Sequence, residues 1–533
     1  MADRIKTLSI LQSLFLVRQD GQLRHWLQVQ VDNPGAPVAA HLIAEMTGSR
    51  FAFELPLGRG LQRLPITLPE VTEPTPVRCT LAAAGEEHSC ELLLAPVRHW
   101  EIFVNHFSHH DLGYTDQPEV CIGQHKAYFD RIIEYCRQTD AYPEDARFRW
   151  TCDTTWAIKY YLQDRSPAEA ERFFELVRDG RIEITAQYAA FNSALLTHEE
   201  LVRSIYYAHE LARRHGFAIT SAMTTDIPGA PWGFPLVLAR SGVRYLSTAV
   251  NQNWAQRGVP RAKEPRVSRP FYWAAPDGSE VLVWNADPDW HYSEGRHLGL
   301  TDSYEQAHRR LPSYLASLEA AGYPYAAIAL RATFKGSDNA PPTLILPRLV
   351  REWNSRWAYP HLCVATSSQF FRHMEERHAA QIPHYSGDWT DWWIDGPGSS
   401  AQETGLNRET HERLAGAEKL TALRSLLDEG YRYPQERIEQ AYDDMMLYDE
   451  HTWGMWDTVE HAFYTSTSEH WQYKAAFATR AADATAALLA EGVEGLASQI
   501  PTGQEPEVAV VNTLGWERQE PVTVSVPPDV VSE

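Results

Sequence analysis

EIFVNHFSHHDLGYTD (101–116) joins a short apolar segment to a polar loop that opens with two histidines and an aspartate. Seven more apolar segments follow in residues 147–366, and amphipathic segments of helical period separate several of them: 125–138, 167–179, 198–215 and 304–322. Strands that alternate with helices in this way are typical of βαβ units and a parallel sheet. About seven or eight units would close into a distorted (β/α) barrel, whose chemistry takes place at the carboxyl ends of its strands. The stretch 101–116 therefore predicts both a fold and the position of a site.

The rest of the chain divides by composition into further segments, so we predict a multidomain α/β protein. Residues 1–98 have β composition with Pro and Gly between the segments, which predicts an N-terminal β domain. Residues 99–385 form the predicted barrel. No strand pattern follows Pro383, and three segments of helical period (407–429, 434–450 and 468–492) predict a three-helix bundle over residues 386–498. Residues 499–533 return to β composition, and because two strands cannot bury their own apolar faces, we expect a truncated C-terminal β-sandwich.

Composition and charge exclude several classes of function. The chain has 533 residues, enough for roughly two to four domains. Its net charge of -22 is spread along the chain and would repel phosphate backbones, so we expect no nucleic-acid partner. The sequence has no run of about 18 apolar residues, so no membrane span is predicted. The segment LSILQSLFLV (8–17) is interpreted as a first strand or helix rather than the apolar core of a signal peptide.

Cysteine usage predicts the compartment. The six cysteines show no CxxC pairing and do not suggest a disulfide framework or a zinc knuckle. We therefore expect a reducing compartment and a cytoplasmic protein. The sequence leaves the oligomeric state open, a homo-oligomer included.

The first candidate site residues are His109 and Asp111, at the carboxyl end of the first barrel strand. Two residues that are two positions apart on an extended backbone point the same way, so both side chains could face one cation. Imidazole nitrogen and carboxylate oxygen are ligands typical of zinc. His110 alternates to the other face and is interpreted as structural.

Two further carboxylates also follow predicted strands. Asp226 stands before the loop IPGAPWG (227–233), and because the next helical pattern begins only near Phe234, a helix-capping role is awkward. We therefore expect the side chain of Asp226 to point into the strand-end face. Asp338, in FKGSDNAPP (334–342), is either an acid in the same cleft or an Asx turn before Pro341.

A late histidine lies in the predicted bundle, within YDEHTWGMWDT (448–458). His451 stands at a helix end, where a histidine often only interacts with the helix dipole. Asp449 and Glu450 next to it form a polar rim that could be functional.

Together these motifs resemble the glycoside hydrolase family 38 retaining α-mannosidases. The order H-x-D-x-G-Y-T, strand-Asp-loop, Gly-x-Asp and E-H-T-W-G is similar to a divergent branch of that family, and the resemblance covers roughly residues 99–515. It implies one divalent ion, most simply Zn²⁺, bound by His109, Asp111, Asp226 and His451. It also implies that Asp226 is the nucleophile and Asp338 the general acid/base.

The resemblance predicts a metal-dependent retaining glycosidase, similar to the α-mannosidases, that acts on an oligosaccharide or glycoside through a covalent glycosyl-Asp226 intermediate. Where mannosidases have a Phe-Gly-His type sequence after the nucleophile this chain has IPGAPW, and Thr452 replaces an Asp, which leaves the sugar open. A zinc-dependent carbohydrate deacetylase and a catalytically silent carbohydrate-binding protein remain alternatives. Candidate sugar contacts are aromatic residues in or near strand-end loops: Tyr114, Trp232, Trp254, Trp273, Trp284 and Trp290.

Overall fold

The computed structural model describes residues 5, 7–227, 229–250, 269–287, 290–334, 338–389, 395–501, 503 and 507–525. Its first part consists of seven antiparallel strands: β1 (Thr7–Gln19), β2 (Gln22–Asn33), β3 (Val38–Met46), β4 (Ser49–Leu57), β5 (Gly60–Pro69), β6 (Thr75–Ala83) and β7 (Glu86–Leu94). They form two sheets, with strand orders β1-β2-β5 and β4-β3-β6-β7. Every second residue of β2 from Leu27 onward is buried, and these side chains share one apolar core with β3 and β6. The segment LSILQSLFLV therefore lies in a strand.

The middle of the chain alternates strands with helices. The strands are β8 (Glu101–Ser108), β9 (Trp150–Cys152), β10 (Ile182–Ile184), β11 (Ser221–Asp226), β12 (Tyr245–Val250), β13 (Phe271–Ala274), β14 (Glu280–Asn285), β15 (Ala327–Ala332), β16 (His361–Ala365) and β17 (His384–Ser386). The helices are α1 (Pro118–Gln138), α2 (Trp156–Gln163), α3 (Pro167–Arg178), α4 (His198–Arg203), α5 (Tyr206–His215), α6 (Gly233–Arg240), α7 (Glu294–His297), α8 (Tyr304–Ala320), α9 (Ile345–Arg356) and α10 (Ser367–His378).

The strands of this region form two five-stranded sheets. One contains β8, β9, β10, β15 and β16, and all of its pairings are parallel. The other has the order β11-β12-β14-β13-β17 and contains one antiparallel pair, β13 with β14. The mixed α/β class with parallel sheets is confirmed, whereas closure of the strands into one barrel remains a prediction.

Two local expectations were wrong. The pattern over 198–215 predicted one helix, but α4 and α5 are separate because the Ser204 carbonyl accepts a hydrogen bond from the Tyr188 amide. Strands were expected to stop at Pro383, but β17 follows and adds a parallel strand to β13. In both places a contact with a distant segment decides the backbone.

The predicted helical region contains α11 (Asp395–Ser399), α12 (Ala401–Leu427), α13 (Gln435–Asp449) and α14 (Thr465–Ala497). Leu414, Met445 and Phe477 from the three long helices share a buried apolar cluster with Trp150 and Ile184 of the parallel strands. The helices therefore pack directly against the sheet region, which fixes the position of the loop after α13.

The carboxyl-terminal residues 507–525 contain no strand and are mostly exposed. The expected C-terminal β domain stays a prediction. Among the helices that the structure describes, none combines the length and apolarity that crossing a bilayer requires.

Candidate metal centre and active site

The loop after β8 places His109 and Asp111 in the interior, where their exposed fractions are 0% and 2%. The Asp111 amide donates to Asn339 Oδ1 at 3.0 Å, which links this loop to the loop after β15. The chain then turns at Gly113, whose φ of +101° is strained for residues with a side chain. A Cβ at Gly113 would also lie 2.3 Å from His470 Nε2, so this turn requires glycine.

Asp226 is the last residue of β11 and has a φ of +73°. A non-glycine residue in the left-handed region is uncommon and costs of order 1–3 kcal/mol, and such residues cluster at functional sites. Its side chain is buried, and Oδ1 has no hydrogen-bond partner among the described residues. The strained backbone therefore directs a carboxylate into the interior at the end of the sheet.

His451 stands two residues beyond the end of α13, and its backbone amide donates to the Ala190 carbonyl at 2.8 Å. Ala190 lies in the segment after β10, so this hydrogen bond attaches the α13 loop to the sheet region. The His451 side chain is buried. His451 is thus held at the carboxyl ends of the strands, although it lies more than two hundred residues after β10 and β11 in the sequence.

The structure brings the four predicted ligand side chains together. His109 Nε2 lies 2.8 Å from Asp111 Oδ1 and 3.2 Å from His451 Nε2. His451 Nε2 in turn lies 3.3 Å from Asp111 Oδ1 and 3.4 Å from Asp226 Oδ2. Two imidazole nitrogens and two carboxylate oxygens therefore converge on one point from three separate segments of the chain.

Each of the two imidazoles has a carboxylate on its other nitrogen. Asp153, which follows β9, lies 2.9 Å from His109 Nδ1, and Glu450 lies 2.9 Å from His451 Nδ1. The Lys474 ammonium donates to Glu450 Oε2 at 2.8 Å and fixes that carboxylate. Carboxylates in these positions orient a metal-binding histidine so that its Nε2 lone pair faces the ion.

The charge of the cluster favours a cation. Burial disfavours the charged form of both imidazoles, but the adjacent carboxylates, Asp111 and Asp153 for His109 and Glu450 for His451, hold the pKa of each well above its usual value. Burial likewise opposes ionisation of Asp111, yet the neighbouring imidazoles keep its pKa below its usual range. Because a metal ligand must be a neutral imidazole, an ion bound among these carboxylates would replace the proton on Nε2 of each histidine.

The donor set fits a divalent ion. His109, Asp226 and His451 each offer one ligand atom, and these atoms all lie within 4.8 Å of one another; Asp111 completes the set through its contacts with both histidines. Oδ1 of Asp226 is buried without a hydrogen-bond partner in the described part of the chain, as expected for an atom that needs a cation. Two nitrogens and two oxygens suit zinc better than calcium or magnesium.

Asp338 lies beside this cluster rather than in it. Burial, together with the negative charges of Asp111 and Asp226, raises its pKa to about 6. The Tyr292 hydroxyl donates a short hydrogen bond to Asp338 Oδ1, and the Tyr292 ring packs 5.6 Å from that of His109. A carboxyl group with such a pKa can hold a proton near neutral pH and release it, as a general acid/base must.

The aromatic candidates for sugar contact are placed differently from one another. Trp232 is 38% exposed and Tyr114 is partly buried in the loop after Asp111. Trp290 is partly buried and stacks on His297, and Trp254 lies outside the described residues. Trp273 and Trp284 were wrong candidates: their exposed fractions are 3% and 1%, because they fill the core beneath the sheet.

Sequence analysis missed several polar residues around the site. Asp153 follows a strand, like Asp226, and that position was the available signal, but no metal-binding spacing marks it. Tyr292 had no signal, because it becomes a partner of Asp338 only through the fold.

A second buried cluster was also missed. His411 of α12 lies with Nδ1 3.0 Å from Glu200 and with Nε2 3.0 Å from Asp449. Glu200 also accepts a hydrogen bond from the Thr197 amide at 2.7 Å. These residues connect α4 to α12 and to the end of α13, and so support the segment that carries His451.

Comparison with known proteins identifies the family of the chain. Residues 99–388 match the family model described as "Glycosyl hydrolases family 38 N-terminal domain". A search of curated proteins found no match. An alpha-mannosidase from Enterococcus faecalis V583 superposes with a TM-score of 0.60 at 17% sequence identity. The superposition covers 75% of this chain and 43% of the mannosidase chain.

A second Enterococcus faecalis protein, described as belonging to glycosyl hydrolase family 38, superposes with a TM-score of 0.52 at 14% identity, with 75% of this chain and 40% of that chain covered. The chain thus spans less than half the length of these two structures, which show likeness of fold. The family match covers more than half of the 533 residues. The chain belongs to glycosyl hydrolase family 38.

Proposed function

We propose that this protein is a metal-dependent retaining glycoside hydrolase that cleaves α-linked glycosides, as an α-mannosidase does. The observation that carries the proposal is the convergence of His109, Asp111, Asp226 and His451, with the partly buried Asp338 next to them. The family match and the printed names of the two Enterococcus faecalis proteins support the same reaction class. Closure of the strands into a (β/α) barrel is part of this proposal.

The ligands would be the four converging side chains, and zinc is the ion that their chemistry favours. When bound, the ion would hold adjacent sugar hydroxyls and favour distortion of the ring. Asp226, whose strained backbone fixes its carboxylate, would attack the anomeric carbon. Asp338 would give its proton to the leaving oxygen and then take one from the water that releases the sugar.

Asp338 has the environment that the acid/base role requires. Its pKa of about 6 means that about a tenth of these groups hold a proton at pH 7, roughly a hundredfold more than for an ordinary aspartate. The Tyr292 hydroxyl donates to one carboxylate oxygen and so helps to fix the orientation of the carboxyl group. Asp226 belongs to the metal cluster and would act as the nucleophile, so the two carboxyl groups would have different roles.

The sugar itself is chosen by the loop that follows the nucleophile. That loop, IPGAPW (227–232), differs from the Phe-Gly-His type of the mannosidases, and Trp232 at its end is exposed. An exposed indole can pack on the apolar face of a pyranose. We propose an α-mannoside as the first substrate to test, with other α-glycosides next to it.

A panel of nitrophenyl glycosides, assayed with and without a chelator, tests the proposal. We expect release of nitrophenol from an α-glycoside, loss of activity with chelator and recovery with Zn²⁺. Asp226→Asn should abolish turnover, whereas Asp277→Asn should not, because Asp277 is an exposed partner of Arg240 and has no hydrogen bond to the site in the described part of the chain. No turnover of any glycoside by metal-loaded protein would contradict the proposal.

A 2-fluoro glycoside separates the retaining mechanism from the alternatives. A covalent adduct that mass spectrometry maps to Asp226 is the expected result. A metal-dependent carbohydrate deacetylase would release acetate and form no adduct. A silent binding protein would bind the glycoside without either product.

A further inference from the structure

A second cavity lies on the surface beside the segment that carries Tyr292. Its volume is about 380 Å³, in the range of sites that bind small molecules. It opens between α7 and α8, and Trp290 forms one edge. We call it the arginine pocket, because Arg309 and Arg310 of α8 line it together with His297 and Ser313.

The arginine pocket carries positive charge that the protein does not neutralise. Arg310 Nη1 donates to the carbonyls of Arg296 and His297 at 3.4 and 3.1 Å, and Arg309 donates to the side chain of Gln306. No carboxylate of the described residues lies within ion-pair distance of either guanidinium. Burial lowers the pKa of His297, and the charges of Arg296 and Arg310 lower it further, so the positive groups are close enough to affect one another.

This local positive charge contrasts with the net charge of the chain, which is -22. Two other arginines of this region are paired, Arg269 with Asp287 and Arg356 with Glu352. Unpaired guanidiniums of like charge around one cavity repel each other and gain free energy when an anion binds between them. The pocket therefore favours an anionic ligand.

The size and lining of the pocket specify the ligand further. A volume of about 380 Å³ exceeds what a single oxyanion fills, and the hydroxyls of Ser313 and Ser317 lie one helical turn apart on the same face of α8. Arginine binds the oxygens of phosphate and sulfate groups in paired hydrogen bonds. We propose that the arginine pocket binds a saccharide that carries a phosphate or sulfate ester, with the ester on Arg309 and Arg310.

This site is distinct from the metal centre and does not depend on the proposed hydrolase activity. Trp290 faces the pocket, whereas Tyr292, two residues later, reaches Asp338. One short segment thus separates the two sites. None of the four metal-binding side chains lines the pocket, so a bound acidic sugar would not contact them.

Isothermal titration with glucose 6-phosphate and glucose 6-sulfate tests the proposal on the intact protein. We expect both esters to bind, glucose not to bind, and inorganic phosphate to bind at least tenfold more weakly than glucose 6-phosphate. Replacing both guanidiniums (Arg309→Gln with Arg310→Gln) should raise the Kd at least about tenfold, since each lost group removes a charge-assisted hydrogen bond. Binding should also weaken with added salt.

Arg63→Gln is the matched control, because Arg63 is an exposed arginine of β5 in the N-terminal sheets. It should bind the esters as the unmodified protein does. If the esters do not bind, or bind equally well after both substitutions in α8, the proposal is wrong. Equal affinity for inorganic phosphate would show an ion site only and would also overturn it. Circular dichroism and thermal melts of each variant verify that it is folded.

Discussion

Asp153 offers a test of the carboxylates that support the metal-binding histidines. The carboxylate is fully buried, accepts from the Thr225 hydroxyl at 2.7 Å and lies 2.9 Å from His109 Nδ1. Asp153→Asn keeps the volume but removes the charge, so His109 loses the partner that fixes its ring and its tautomer. Such outer partners contribute about 10–100-fold to metal affinity, which corresponds to roughly 1.4–2.8 kcal/mol. We therefore expect the Kd for Zn²⁺ to rise by that factor.

The assay is competition for Zn²⁺ against a chromophoric chelator, together with urea unfolding of the metal-free proteins. Asp145→Asn is the matched control, because Asp145 also lies 2.9 Å from a histidine nitrogen, that of His361, but outside the site. The control should leave the Kd unchanged. If Asp153→Asn binds Zn²⁺ as tightly as the unmodified protein does, Asp153 does not position a ligand and the reasoning fails.

Three other outcomes follow from the same contacts. Asp338 must be protonated to act as an acid and its pKa is about 6, so kcat/KM should fall as the pH rises above that value. Tyr292→Phe removes a hydrogen-bond donor to the carboxylate, so pH–rate profiles of this variant should show the fall at higher pH. Gly113→Ala should lower the free energy of unfolding by at least about 1 kcal/mol in urea melts, since its φ of +101° suits only glycine. Burial raises the pKa of Glu200 to about 7 from an unfolded value of 4.5, so its contribution to stability is complete below about pH 4.5 and is lost as the pH rises through 7. Glu200→Gln should therefore reduce the difference in the free energy of unfolding between pH 5 and pH 8, measured in urea melts, by up to about 3 kcal/mol.

The sequence predicted most of the secondary structure, because the signals are local. Residues 101–108 were expected to form a strand and do so as β8, and the pattern over 167–179 corresponds to α3. The spacing of apolar residues and the positions of Pro and Gly are properties of a short segment, and they determine its secondary structure in the folded protein as well. The break between α4 and α5 could not be seen, since it depends on a hydrogen bond from Tyr188.

The site was predictable where residues follow strands. His109, Asp111 and Asp226 each follow or end a strand, and the chemistry of a (β/α) barrel is expected at the carboxyl ends of its strands. His451 was found only through the resemblance, because the sequence around a helix end does not indicate which distant loop that helix end will contact. The supporting residues Asp153 and Tyr292 depend on distances across the fold, which a single sequence does not contain.

The central claim is that His451 of the helical region and His109 of the first strand-end loop bind the same ion. Metal analysis of the unmodified protein, His109→Ala, His451→Ala and the control His361→Ala tests it most directly. The account predicts about one zinc-like ion per chain in the unmodified protein and the control, and loss of that ion in the other two variants. A folded unmodified protein without metal, or a His451→Ala protein that retains its ion, would contradict it.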